Sequence, residues 1–265
     1  MNLLLTDAQH AEMAAQLHAA KRSGQGMVPP SESIDYTMDD AYRVRRKFVD
    51  LLIADGRRPK GHKIGFTSEA IQRQYGMTGP DFGQLLDDVF VPAGQPVPAS
   101  TLSDARVEAE IAFELSAPLR GPGVTVADVL AATRVVRAAI EVIDSRVGAM
   151  RAKAVDSIAD NAGAGLVVLG EVEMSPLALD LADIAIRMEV DAEVQAGVSG
   201  DVMGNPAAAV AWLANTLHAI DGLGGQLEAG DIVMSGSAVR SVAVRAGSRL
   251  AATFGPFGTI EVEFT

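Results

Sequence analysis

The segment from Arg106 to Leu115 (RVEAEIAFEL) constrains the fold most, because apolar and charged side chains alternate along it. Such alternation predicts a β-strand that turns one face to a core. Glu108 and Glu110 then leave the same face with Cα atoms about 6.5–7 Å apart, so their carboxylates can converge on one ion. The E-x-E pattern alone leaves a second interpretation open, in which this face is simply solvated.

Glu141 strengthens the first interpretation, because it lies in the apolar run RAAIEVID. A carboxylate among buried apolar side chains needs a cation, an arginine or a raised pKa. Arg137 and Arg146 are close in sequence, so a structural ion pair is the alternative to a metal. If Glu108, Glu110 and Glu141 meet, their all-oxygen ligand set predicts Mg²⁺ or Mn²⁺. Such an ion would bind a small 2-oxo or 2-enol carboxylic acid and stabilise its enolate.

The composition narrows the classes of partner. The chain has 265 residues, no cysteine and a formal net charge of −12, without a long basic tract. Nucleic-acid and anionic-membrane surfaces are therefore not expected, and neither are disulfides, thiolate nucleophiles or sulfur-bound zinc. No apolar stretch approaches the length of a membrane span, and the N-terminus has no signal-peptide pattern. We therefore expect a cytoplasmic protein.

Helical signals dominate the first 60 residues. Capping boxes formed by Thr6 with Gln9 and by Thr37 with Asp40 predict two helices, and the second helix should end near Gly56. The remainder of the chain has no internal repeat, and strand signals outnumber helix signals.

A capping pair in the second half, Thr125 with Asp128, predicts a helix to about Arg137, and Asn205-Pro206 predicts the start of an apolar helix. The predicted strands besides Arg106–Leu115 are Ile184–Val190, Glu193–Ala196, Asp231–Ser235, Ser241–Arg245, Arg249–Phe254 and Thr259–Phe264. Strands do not alternate regularly with helices, so we predict an α+β fold. Residues 1–60 form a helical N-terminal extension in this prediction, and residues 61–265 form a β-rich core.

Further polar residues are candidates for the site. Lys63 lies between two glycines in GHKIGFTS, and its alternatives are a proton donor or a surface lysine with a buried stem. Asp81, in TGPDFG, either handles a water molecule or serves a turn. Asn161, in SIADNAGAG, forms an Asx turn or lines a ligand. None of the four histidines is predicted to bind a metal.

Several segments together resemble the 2-keto-4-pentenoate hydratase group of the fumarylacetoacetate hydrolase superfamily. They are GHKIGFTSEAIQ, GPDFGQLLDD, ARVEAEIAFEL, AAIEVIDSR, SIADNAGAG, MGNPAAAVAWLAN and AGDIVMSG, and they occur in the family's order from about residue 37 to the C-terminus. The resemblance implies a mixed β-roll core with a helical N-terminal extension. It also implies a homo-oligomer, a pentamer or decamer, that serves in the meta-cleavage breakdown of aromatic compounds.

The resemblance also assigns roles to residues. Glu108, Glu110 and Glu141 would hold the metal, while Lys63 and Asp81 would be the acid–base pair. The residues expected to bind substrate are Thr67, Asn161 and Ser235.

Two chemistries occur in the group, hydration of a 2-hydroxy-2,4-dienoate and decarboxylation of a 4-oxalocrotonate. The aspartate of P-D-F-G, here Asp81, is typical of the hydratases. The substrate would be 2-hydroxypenta-2,4-dienoate or 2-oxohept-4-ene-1,7-dioate; Arg240 would face the second carboxylate of the latter or simply be exposed on a strand. Asn205 replaces an expected histidine and Ser235-Gly236 an expected Thr-Gly. A non-catalytic partner subunit is the alternative from another class.

Overall fold

Helices and strands are mixed in this chain without regular alternation, as the α+β prediction requires. The structure, a computed structural model, describes residues 2–68, 72, 77, 79–148, 152–220 and 225–265. Its helices are α1 (Asp7–Ser23), α2 (Met38–Ala54), α3 (Val126–Ala132), α4 (Ala154–Ala159) and α5 (Pro206–Ala219). Its strands are β1 (Pro59–Gly65), β2 (Asp81–Leu86), β3 (Phe90–Val91), β4 (Ala105–Leu115), β5 (Thr133–Asp144), β6 (Ala164–Leu169), β7 (Ala185–Val190), β8 (Glu193–Val198), β9 (Ile232–Ser237), β10 (Val242–Ala243), β11 (Arg249–Phe254) and β12 (Thr259–Glu263).

The helix starts agree with the predictions. The capping boxes at Thr6 and Thr37 are both present, with reciprocal hydrogen bonds between the side chain of each threonine and the residue three positions later. The side chain of Asn205 accepts a hydrogen bond from the Ala207 N–H, which starts α5 as predicted. Gly56 follows the end of α2 with a φ of +99°, a conformation that glycine adopts without strain.

Two sheets carry the core. Within the described residues, the larger sheet has the order β2-β1-β9-β4-β5-β6-β3, with β10 paired to β4. Its pairs are antiparallel except β1 with β9 and β3 with β6, so the sheet is mixed. The smaller sheet, β12-β11-β7-β8, is antiparallel and includes the predicted hairpin β7–β8. β4 and β5 lie in the middle of the larger sheet.

The helix predicted from Thr125 to about Arg137 is too long. It ends at Ala132, and residues Thr133–Asp144 form β5 instead. Both the local sequence and the pairing with a neighbouring strand explain why the helix stops here. Thr133, Val135 and Val136 are β-branched and favour extended backbone, and β5 gains a continuous antiparallel ladder with β4. This correction puts Glu141 on a strand.

The first two helices pack on the rest of the chain through a buried apolar cluster. Helices α1, α2 and α4 contribute most of this cluster, and Phe48 of α2 is fully buried within it. A polar contact accompanies the packing: buried Asp156 of α4 accepts hydrogen bonds from the Ser31 N–H and Oγ and from the Tyr36 hydroxyl. The predicted boundary between residues 60 and 61 falls within β1, and the division into extension and core stays a prediction.

None of the described helices is long and apolar enough to cross a membrane.

Candidate active site

Glu108, Glu110 and Glu141 meet because of strand register. Glu108 of β4 lies directly opposite Glu141 of β5, and Glu110 follows two residues later on the same face. Each of the three offers a carboxylate oxygen within 4.8 Å of the others. Glu110 and Glu141 are fully buried, and Glu108 is half-buried. Like charges placed opposite each other on a ladder repel, so this arrangement needs either a compensating cation or bound protons.

The hydrogen bonds of the triad leave room for that cation. Glu110 Oε2 accepts from the Gly236 N–H at 2.7 Å, whereas no described residue donates to Glu110 Oε1 or Glu141 Oε2. Buried carboxylate oxygens without donors are costly unless an ion binds them. The residues therefore fit a hard divalent cation with oxygen ligands, such as Mg²⁺ or Mn²⁺.

The pKa values of the three carboxyl groups are shifted in the direction expected of a cation site. Burial, and then repulsion from Glu141, raises the pKa of Glu108 to about 7. Burial and the two neighbouring carboxylates raise the pKa of Glu110 well above its usual value. Burial also raises the pKa of Glu141, although the ammonium group of Lys63 opposes the effect. Without a cation, the triad retains protons that metal binding would displace.

Lys63 is the described partner of Glu141. It is 3% exposed, which excludes the surface-lysine interpretation. Its Nζ lies 3.3 Å from Glu141 Oε1 and donates to the Ala162 carbonyl at 3.1 Å. Burial would lower the pKa of Lys63, but Glu141 and the other nearby carboxylates outweigh it and raise the pKa above its usual value. Lys63 is therefore a positively charged group at neutral pH.

The arginines considered as partners of Glu141 are used elsewhere. Arg146 donates to Asp160 at 2.6 Å, and Arg137 pairs with Glu173. The interpretation of Glu141 as part of an arginine ion pair is therefore wrong.

Asp81 is the first residue of β2 and is fully buried, so the interpretation of Asp81 as a simple turn residue is wrong. Its Oδ2 accepts from Ser157 Oγ at 3.1 Å, and no described residue donates to its Oδ1. Burial raises the pKa of Asp81, while Lys63 opposes the shift. A β-carbon on Gly65 would lie 2.3 Å from Asp81 Oδ1 and 3.4 Å from Lys63 Nζ, so any larger residue there would displace the Asp81 carboxylate or the strand.

A pocket of about 610 Å³ is lined by several of these groups, whereas Glu110 and Glu141 are not among its lining residues. Its lining includes Lys63, Asp81, Glu108 and Thr67, four of the predicted site residues. The volume suits a small carboxylic acid. The concave surface, the cation ligands and two titratable groups with shifted pKa values together have the properties of an active site.

Asn161 and Ser235 are buried and are not among the residues that line the pocket. The Asn161 side chain exchanges two hydrogen bonds with the backbone of Gln84, at 2.8 and 2.9 Å. Ser235 is buried on β9 beside Gly236, the residue that donates to Glu110. These contacts position β2 and the triad, and direct contact of either side chain with substrate stays a prediction.

Three residues contribute to the site although the sequence did not predict them. Ser157 bonds Asp81, the Gly236 N–H holds Glu110, and Arg106 lines the pocket. Arg106 was visible on the same strand face as Glu108, so the alternation could have identified it. Ser157 carried no signal, because its role depends on where α4 lies relative to β2.

The chain is similar to several known proteins. The family model described as "Fumarylacetoacetate (FAA) hydrolase C-terminal" matches residues 62–265. The chain is 40% identical to 2-oxo-hept-4-ene-1,7-dioate hydratase of Escherichia coli, over 96% of this chain and 97% of that protein. It is 39% identical to 2-hydroxyhexa-2,4-dienoate hydratase of Comamonas testosteroni, over 98% of this chain and all of that protein.

A solved structure agrees over the whole length. 4-Oxalocrotonate decarboxylase from Pseudomonas putida G7, complexed with magnesium and adipate, superposes with a TM-score of 0.94 at 32% identity, covering 100% of both chains. A second structure of that enzyme contains calcium and acetate. The predicted fold and family are confirmed, and the chain belongs to the fumarylacetoacetate hydrolase family, within its 2-keto-4-pentenoate hydratase group.

Proposed function

We propose that this chain is a hydro-lyase that adds water to a 2-hydroxy-2,4-dienoate, in its 2-oxo-enoate form, and releases a 4-hydroxy-2-oxo acid. The observation that carries the proposal is the presence of Asp81 in the same pocket as Lys63 and Glu108, one of the three carboxylates that meet at the candidate metal site. Relatives named as hydratases of such acids, at 36–40% identity over nearly the whole chain, support it.

The proposed cofactor is Mg²⁺, or Mn²⁺, held by Glu108, Glu110 and Glu141. Such an ion would supply the positive charge that stabilises an enolate at C2 and C3 of the substrate. The magnesium and the calcium in solved relatives support a hard divalent cation.

Lys63 and Asp81 are the proposed proton carriers. Lys63 Nζ is held between the Ala162 carbonyl and Glu141, so it can orient an anionic acid and donate a proton. Asp81, whose pKa is raised by burial, is a stronger base than an exposed carboxylate. Together they remove the proton of the C2 hydroxyl and deliver one to C5, which gives the 2-oxo-3-enoate.

Water then adds to this conjugated ketone. Asp81 accepts a proton from a water molecule as its oxygen bonds to C4, and C3 gains a proton when the enolate collapses. The free Oδ1 of Asp81 is the proposed acceptor, because Oδ2 is bonded to Ser157. Thr67, Asn161 and Ser235 are the proposed substrate-binding residues, with Thr67 on the pocket wall.

The deciding experiment mixes purified protein and Mg²⁺ with 2-hydroxypenta-2,4-dienoate or 2-hydroxyhepta-2,4-diene-1,7-dioate. Loss of the dienol absorbance and the product mass are followed together. Gain of one water, abolished by EDTA, supports a hydratase. In Asp81→Asn, metal binding should persist while hydration falls by about 10²–10⁴-fold, the usual contribution of a general acid–base group. The exposed Asp88→Asn is the matched control, and an unchanged rate in Asp81→Asn would remove its assigned role.

The second candidate is a 4-oxalocrotonate-type decarboxylase, which the structural likeness to that enzyme favours. Release of CO₂ from 4-oxalocrotonate, with no gain of water from either dienoate, would establish it. No reaction with any of the three compounds would favour the non-catalytic partner subunit.

The active form is proposed to be a cytoplasmic homo-oligomer, a pentamer or decamer. Light scattering should then give a mass five or ten times that of the 27.6 kDa chain. A monomer at micromolar concentration would refute this part of the proposal.

A further inference from the structure

The pocket carries several positive charges in a strongly acidic protein. Among the described residues, three cationic side chains line it besides Lys63, namely Arg106, Lys153 and Arg240. The described acid that lines it outside the catalytic groups is Asp201, whose Oδ2 already accepts a hydrogen bond from the Val198 N–H. Against a net charge of −12, such a concentration of positive charge indicates an anionic group at this position.

Arg106 is held in place by its hydrogen bonds. Its Nε donates to Ser241 Oγ at 2.9 Å and its Nη2 to the Ser241 carbonyl at 2.8 Å. Neither bond is to a carboxylate, and Nη1 donates to no described residue. Arg240, the residue before Ser241, is exposed and forms no ion pair with a described carboxylate. Arg106 is thus hydrogen-bonded to Ser241, and Arg240 is the neighbour of Ser241 in the chain. Both guanidinium groups retain N–H donors that a ligand can use.

The distance between Arg106 and the triad carboxylates determines how long an anionic molecule must be to reach both. Arg106 precedes Glu108 by two residues on β4 and leaves the same strand face, about 7 Å further along. A seven-carbon dicarboxylic acid spans about 7–8 Å between its carboxyl carbons, given C–C bonds of about 1.5 Å. A five-carbon monoacid ends before it reaches the arginine and offers it no charge.

We infer that Arg106 and Arg240 form an anion-binding subsite that takes the second carboxylate of a dicarboxylic 2-oxo acid. Its 2-oxo end lies at the carboxylate triad and Lys63. This inference rests on the proposed function for the identity of the substrate but not for the existence of the subsite. Such a subsite makes the chain selective for diacids over monoacids of similar length.

The binding test compares adipate with hexanoate, which differ only in the second carboxylate, by calorimetric titration in the presence of Mg²⁺. The native protein should bind adipate at least about tenfold more tightly, since a charge-assisted contact contributes on that scale. Arg106→Gln and Arg240→Gln should each reduce this preference several-fold, and Arg106→Lys should restore part of it. Arg249→Gln, an exposed arginine 3.5 Å from Glu263, is the control that keeps the preference.

The kinetic test compares kcat/KM for the seven-carbon diacid and the five-carbon monoacid. The ratio should fall about tenfold or more in both glutamine variants, mainly through the KM of the diacid. Equal affinities for adipate and hexanoate in the native protein, or an unchanged preference in both variants, would overturn the subsite. Absence of hydration with preserved adipate preference would instead refute only the proposed function. Arg240 is exposed, so its variant remains informative if Arg106→Gln does not fold.

Discussion

Three acidic side chains share one small buried volume, and the metal-free chain reduces their mutual repulsion by keeping protons on them. Glu110 gives the sharpest test, because its replacement removes a buried carboxyl that is costly to ionise and leaves the Lys63–Glu141 contact intact. The Gly236 N–H can still donate to a glutamine oxygen at this position.

Glu110→Gln should therefore keep or raise the melting temperature of the metal-free protein while abolishing stabilisation by Mg²⁺. A ligand present at 100 times its dissociation constant stabilises a protein by about 2.7 kcal/mol, and this increment should be lost. Thermal unfolding with EDTA and with Mg²⁺ measures both effects. Glu114→Gln, on the same strand but paired with Arg134 near the surface, should respond to Mg²⁺ like the native chain. Full stabilisation by Mg²⁺ in Glu110→Gln would argue against the triad.

The raised pKa values make both stability and metal binding depend on pH. A carboxyl with a higher pKa in the folded chain than in the unfolded chain binds more protons when folded, so its contribution to stability declines as pH rises. For Glu108 this interval runs from 4.5, its ordinary value, to about 7. Asp160, with a pKa raised by burial to about 6, acts in the same direction without contacting the triad.

We expect the melting temperature in EDTA to fall between pH 5 and 8 and the increase caused by Mg²⁺ to grow over the same interval. The difference between the melting temperatures in Mg²⁺ and in EDTA reports on the triad alone, because Asp160 contributes equally to both. Calorimetry should also detect proton release when Mg²⁺ binds near pH 6.5. A stabilisation by Mg²⁺ that shrinks as the pH rises would contradict this account.

Gly65 offers a third test at this scale, because its missing side chain makes room for Asp81. Gly65→Ala places a β-carbon 2.3 Å from Asp81 Oδ1, so either the carboxylate or the strand must move. We expect kcat to fall by at least about tenfold, since small displacements of acid–base groups are costly, with little change in the affinity for Mg²⁺. Gly26→Ala, at an exposed glycine where a β-carbon meets only the Arg146 carbonyl oxygen at 3.4 Å, controls for a glycine replacement. An active Gly65→Ala would contradict the assigned geometry.

The metal ligands could be predicted from the sequence, but their surroundings could not. Alternation on β4 placed Glu108 and Glu110 on one face, and the apolar run around Glu141 marked it as buried. The pairing of Glu141 with Lys63 depends on the sheet order β1-β9-β4-β5, and no local pattern encodes such an order. The hydrogen bond from Ser157 to Asp81 likewise depends on tertiary packing.

At the scale of elements, β5 shows how a strand can override a helix signal. The capping pair before α3 correctly predicted where the helix starts, yet the helix stops at Ala132 because β-branched residues and the β4 ladder favour extension. Local capping therefore predicted starts well, at α1, α2, α3 and α5. Ends that depend on partner strands were less predictable.

The contact between the extension and α4 gives a prediction at this scale. Tyr36→Phe removes the 2.7 Å hydrogen bond to buried Asp156 and should destabilise the protein by about 1.5–3 kcal/mol, the range for hydrogen bonds to charged groups. Urea unfolding measures the change. Tyr42→Phe is the matched control, because the Tyr42 hydroxyl donates to no described residue. Equal stability of Tyr36→Phe and the native chain would mean that water replaces this bond.

At the scale of the whole molecule, the predicted division into extension and core has a thermodynamic consequence. Phe48 is fully buried between α1, α2 and α4, and the Arg146 guanidinium lies 5.6 Å from the centre of its ring. Since the two parts share this cluster, we expect them to unfold together.

Phe48→Ala should lower stability by about 3–5 kcal/mol, the usual cost of such a core truncation, while unfolding stays a single transition. Circular dichroism and tryptophan fluorescence report on different regions, because Trp212 lies on α5 of the core. Coincident transitions support the shared cluster. The control is Leu177→Ala, at a side chain 75% exposed, which should change stability little. An extension that melts before the core would contradict this expectation.

Two adjacent residues of α4 face different neighbours, and this limits how relatives of this chain can be recombined. Asp156 is bound by Ser31 and Tyr36 of the extension, while Ser157 bonds Asp81 in the pocket. In a chimaera that takes its first 60 residues from another family member, the hydrogen bonds to Asp156 would change. Because Ser157 is the next residue, its hydrogen bond to Asp81 would change as well. A successful donor must therefore supply a matching hydroxyl pair, so the N-terminal segment cannot be exchanged as an independent module.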